Sequence, residues 1–264
     1  MNWNWSSRAT RLFEAFPRQV FDESGYGFIA PEDMPARFER AGFPVFEAVV
    51  AFQRELAGCV FYDGPRTAPY TPYLWGIQTP TPDNDPGEPY EDECVVLTDA
   101  AAFTYVMRED GRIEVDGQVD ATSARVMVEG QALQYEWDAV IRPGRTAYFL
   151  RLDARPRDDA AYWRAVADAA ARLGLNRVEE ASDVAGQWYV GPHSRLSVEP
   201  YYGTRNFSDD VPARWARLFS TSIEEAQAFH ALVRDAAGWG TLQWRKIAPE
   251  YPDYLADYSW APPF

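Results

Sequence analysis

The spacing of apolar side chains divides the chain into helix-like and strand-like stretches. Leu12, Phe13 and Phe16 predict a helix over residues 7–16, which Pro17 stops or kinks. Residues 31–40 predict a short second helix, opened by Glu32 and Asp33. The strongest early helix spans Pro44 to Ala57. Its Val45, Val49, Phe52 and Leu56 fall at i, i+4, i+7 and i+11, one buried stripe. Pro44 suits the first helical position, where its missing N–H would have no partner. Gly58 supplies a left-handed cap. Cys59-Val60-Phe61-Tyr62 then predicts a strand, turned by Asp63-Gly64-Pro65.

Residues 65–93 are Pro-rich, with Tyr73-Leu74-Trp75-Gly76-Ile77 as an apolar island, and predict an ordered surface loop. From Cys94 the period shortens to two. Cys94-Val95-Val96-Leu97 is a short strand. Phe103 to Arg108 and Arg112 to Val115 alternate around Asp110-Gly111 and form the clearest hairpin in the chain. A helix follows from Ser123 to Ala139, capped by Thr122 or Ser123 and carrying Val126, Leu133, Trp137 and Val140 on one face. Beyond it come a strand at 147–152 and a helix from Asp159 to Leu173 ended by Gly174. Strands at 187–190 and 195–199 pair across Gly191-Pro192. A last helix runs from Ile223 to Ala236, with Ser222 and Glu225 in a capping-box pattern. The tail beyond Lys246 carries Tyr251, Tyr254, Tyr258, Trp260 and Phe264, and such an aromatic tail is expected to dock on its domain.

This order of elements predicts an α+β fold, not alternating βαβ units. Pro143-Gly144 and a change in charge density place a boundary near 145. The expected organisation is a domain over 1–145 and an α+β extension over 146–264, separate or packed as one unit with the first.

Length and composition narrow the class. With 264 residues, 47% hydrophobic and 25% charged, the chain has the apolar surface to offset ordering entropy, so it is not a disordered chain. Two cysteines, Cys59 and Cys94, exclude a disulfide scaffold and are expected as buried, inert thiols. No apolar run approaches the ~18 residues of a membrane span. The first residues lack a basic region followed by an apolar one, as a secretory signal requires. The expectation is a soluble cytoplasmic protein. Lys246 is the only lysine among 25 basic residues, a bias that suggests a GC-rich bacterial genome.

Charge changes the picture more. The net charge is -15, and residues 1–150 hold 24 acids against 12 bases while 151–264 hold 16 against 13. Such a field repels phosphate backbones, which argues against nucleic acid. It either serves solubility alone or steers a basic partner. The densest stretch runs through Asp83, Asp85, Glu88, Glu91, Asp92 and Glu93, six acids without a base. It loosely resembles a calcium loop, but Pro86 and Pro89 break the backbone that such a loop needs. It is either a solvated loop or a contact surface for a basic protein. In the second reading Trp75 and Tyr90 are aromatic anchors within the charged rim, beside Tyr70 and Tyr73. The aromatic content of 15% reads mainly as core packing, with an aromatic groove for sugar or peptide as the other reading.

Enzyme signatures are missing. The single lysine excludes a Gly-x-x-x-x-Gly-Lys phosphate loop, and no Gly-x-Ser-x-Gly elbow or dinucleotide fingerprint occurs. The only histidines are His193, in a turn, and His230, at the edge of a helix's core face. Two His and two Cys without short spacing make structural zinc improbable. Glu129 and Glu136 read as a solvated helix face, not as a catalytic pair. No catalytic residue, cofactor or metal is expected.

The run Phe46 to Phe61, with its Ala57-Gly58 step out of an apolar helix, resembles the Smi1/Knr4-like (SUKH) superfamily. So do Trp75-Gly76-Ile77, the Asp110-Gly111 hairpin and the Ser-led helix from Ser123. The likeness covers about residues 20–142, and the long acidic loop and everything after 142 depart from the pattern. It implies a mixed sheet flanked by helices and a protein-binding role; many bacterial members are immunity proteins that neutralise a cognate toxin, often a nuclease. The charge independently suits a protein that covers a basic face. The expected function is therefore an acidic binding module of this type with a toxin domain as partner. A hydrolase using paired carboxylates and a regulatory scaffold are the alternatives.

Overall fold

Helices form where an apolar stripe, a cap and a stop coincide. The computed structural model describes residues 3–19, 29–41, 45–62, 74–77, 94–100, 103–115, 118–140, 147–154, 159–200, 214–234 and 239–247. Within them lie α1 (Ser7–Ala15), α2 (Met34–Ala41), α3 (Glu47–Leu56), β1 (Cys94–Ala100), β2 (Phe103–Arg108), β3 (Ile113–Val115), β4 (Gln118–Ala121) and α4 (Ala124–Val140). They are followed by β5 (Ala147–Ala154), α5 (Asp159–Arg172), β6 (Asn176–Arg177), β7 (Gln187–Val190), β8 (Ser194–Pro200), β9 (Arg214–Ser220), α6 (Ile223–Arg234) and β10 (Trp239–Ile247). The fold is α+β. Among the described residues every strand pairing is antiparallel, in place of the mixed sheet that the resemblance implies.

The chain packs as two compact units, Met1–Tyr135 and Glu136–Phe264. The division falls inside α4; the Pro143-Gly144 punctuation lies outside the described residues. In the first unit the described strands form a meander, β1-β2-β3-β4. Gly111 takes a positive φ of 85° at the β2–β3 turn, where its N–H bonds the Arg108 carbonyl at 2.9 Å. The core gathers Leu12 of α1, Met34 and Phe38 of α2, Val49, Phe52 and Leu56 of α3, Met107 and Ile113 of the sheet, and Val128 of α4, each 0–1% exposed. Each such burial contributes roughly 1.5–3 kcal/mol. Val45 departs from the expected stripe. It precedes α3 and is 38% exposed, while Phe46 takes the inward place. Residues 59–62 are not a strand; only Val60 bridges, to Leu74. What positions them is Gly58, whose N–H bonds the Trp75 carbonyl and whose carbonyl accepts from Gln19, both within 2.9 Å.

In the second unit the described strands run β10-β5-β9-β8-β7-β6. Alternation sets one face: Leu150, Ala216, Leu218, Leu196 and Val198 are buried with Tyr162, Val166 and Ala170 of α5 and Ala226 and Phe229 of α6. Gly174 closes α5 at φ 67°, and the Leu175 N–H reaches back to the Ala170 carbonyl. The opposite face carries Phe149 and Phe219, packed with Trp137 of α4. It also carries Arg151, Trp215 and Arg217, with the two guanidiniums 4.1 and 5.7 Å from the indole centroid. The Ser222 cap forms by half: its hydroxyl accepts from the Glu225 N–H at 3.2 Å, but its own N–H goes to Ser220 Oγ.

Candidate functional site

Besides Glu14 and Glu39 within α1 and α2, exposed acidic side chains of the first unit sit at helix starts and at one turn. Glu32 and Asp33 precede α2, and Glu47 opens α3, where the positive end of the helix dipole favours a carboxylate. Glu109 and Asp110 cap the β2–β3 turn, and all five are exposed. That turn lies against the first turn of α3, since a methyl group added at Gly111 would stand 3.4 Å from the Ala48 Cβ. Glu47, Glu109 and Asp110 therefore share one neighbourhood. The sequence signal for them was present in the hairpin and the helix start, but the long acidic loop drew the expectation elsewhere.

One acid of this unit is buried and paired. Glu114 of β3 is 4% exposed, accepts a hydrogen bond from Arg108 Nε at 2.8 Å, and forms an ion pair with Arg112 Nε at 2.9 Å. One buried acid thus occupies two of the unit's bases, and Arg112 also lies 3.7 Å from Asp110.

Of the residues expected to meet a partner, Asp83, Asp85, Glu88, Tyr90, Glu91, Asp92 and Glu93 lie outside the described residues. Trp75 is described, and it corrects the expectation. It is 0% exposed, edge-on to Phe52 at 5.5 Å and Phe61 at 4.7 Å between ring centroids. A ring with no surface is a core anchor and offers a partner nothing to touch. The docking of the aromatic tail also falls outside the described residues.

Glu129 is a second correction. It is 0% exposed, not solvated, and it accepts from the backbone N–H of Ser6 at 2.9 Å and from the Ser6 hydroxyl. Ser6 is the N-cap of α1, and one turn earlier on α4 Arg125 donates to the Asn4 carbonyl at 3.0 Å. Two side chains of α4 thus hold the start of α1. No local pattern encodes this, because the partners are 123 residues apart. Glu129→Ala is expected to destabilise the first unit by about 2 kcal/mol, since it removes two hydrogen bonds from the half-buried Ser6 to a charged acceptor. Urea unfolding against the exposed Glu14→Ala control checks it; equal losses for the two variants would refute the role.

The remaining candidates are structural. His193 is exposed in the β7–β8 turn, and His230 is half-buried on α6. Among the described residues no three His, Cys, Asp or Glu side chains converge to hold a metal. Ser194 and Ser220, both 0% exposed, share a 2.7 Å bond, and Ser194 also bonds Glu225. This network ties β8 and β9 to the start of α6. Cys59 is buried and unpaired in a disulfide. Burial pushes its thiol above the usual 9.0, against the opposing hydrogen bond and charge of Arg18. In a Cys94→Ser background, native protein is expected to react with a thiol reagent far more slowly than urea-unfolded protein. The sign for stability follows. The folded state keeps the proton longer, so the contribution is intact below the ordinary thiol pKa and is lost as pH rises from there through the raised folded value. A thiol that reacts at the same rate in both states would overturn this.

Among the described residues no helix is long and apolar enough to cross a membrane. Compared with family models, with curated proteins and with solved structures, the chain matches none.

Proposed function

We propose that this chain is an acidic protein-binding module of the immunity type, which neutralises a toxin domain by covering its basic face in the cytoplasm. It acts by association, and no bond is made or broken on it. The observation that carries the reading is the charge of the first unit: residues 1–135 hold 22 acids against 10 bases, while residues 136–264 hold 18 against 15. The exposed Glu32, Asp33, Glu47, Glu109 and Asp110 carry part of that charge on the surface. A nuclease binds phosphate through a positive surface, so a carboxylate-rich surface competes for the same ground and accelerates encounter. The resemblance to the Smi1/Knr4-like superfamily supports the same role through the Ala57-Gly58 step and the Asp110-Gly111 hairpin. Both of these form, although the strand after Gly58 does not.

The test is co-expression and purified-component binding with the product of the adjacent reading frame. At roughly 50 mM salt the association rate is expected to exceed that at roughly 500 mM by about tenfold or more, as screening removes the steering. Neutralising Asp83, Asp85, Glu88, Glu91, Asp92 and Glu93 to amides, or separately Glu47, Glu109 and Asp110, is expected to lower the low-salt rate. Failure to bind, or binding indifferent to salt and to both sets of substitutions, would overturn the reading.

A further inference from the structure

We draw no further inference here: the strongest candidate, the half-buried Arg151–Trp215–Arg217 cluster on the sheet face of the second unit turned away from α5 and α6, already has Arg217 held by Glu199 and Ser197, and nothing in the structure shows what covers the rest of it.

Discussion

Gly58→Ala is expected to cost the first unit about 3–4 kcal/mol, the sum of a strained backbone and a collision that has no soft side. The strain comes from φ at 78°, where an L side chain adds roughly 1–2 kcal/mol. The collision is with backbone: a Cβ at this position would stand 2.3 Å from the Gln19 carbonyl oxygen. Relief requires moving residues 17–19, which loosens the bond from the Gln19 N–H to the Gly58 carbonyl at 2.9 Å. It also disturbs the 2.8 Å bonds linking Gly58 and Cys59 to Trp75. Gly174 supplies the control. Its φ is 67°, but nothing lies within 4 Å of its added Cβ, so Gly174→Ala should cost the second unit only about 1 kcal/mol. Urea titration of both variants, with the two units' transitions fitted separately, measures the difference. Equal losses would show that no close approach exists at Gly58 and that only the dihedral matters there.

The same glycine shows what local pattern can and cannot convey. A helix ended by Gly is a nearest-neighbour event, so α3, α5 and their left-handed terminators were legible from stripe and cap. The β2–β3 hairpin was legible for the same reason. Strand β9 was not. Its inward positions hold Ala216, Leu218 and Ser220, and its outward positions hold Trp215, Arg217 and Phe219, so apolar and polar residues do not sort by face. The site followed the same division. Exposed carboxylates such as Glu47 and Asp110 can be placed from helix starts and turns. The burial of Glu129 depends on Ser6, and that of Trp75 on Phe52, Phe61 and Tyr105, contacts across chain separations that no helix or strand period encodes.

Trp75 gives the second large effect, and it separates folding from binding. Truncation to alanine empties a ring-sized space in a close-packed core and is expected to cost about 3–5 kcal/mol. Trp75→Phe should lose less than half of that. It keeps a ring for the edge-on contacts with Phe52 and Phe61, and it removes an indole N–H that finds no acceptor among the described residues. If Trp75 is purely a core anchor, Trp75→Phe binds a basic partner at the wild-type rate while its unfolding midpoint falls. Amide substitutions in the acidic loop should do the opposite, slowing association while leaving the midpoint in place, because surface charges there contribute little to stability. A Trp75→Phe variant with unchanged stability and weakened binding would move this ring from the core to the interface, and the burial of the 74–77 segment with it.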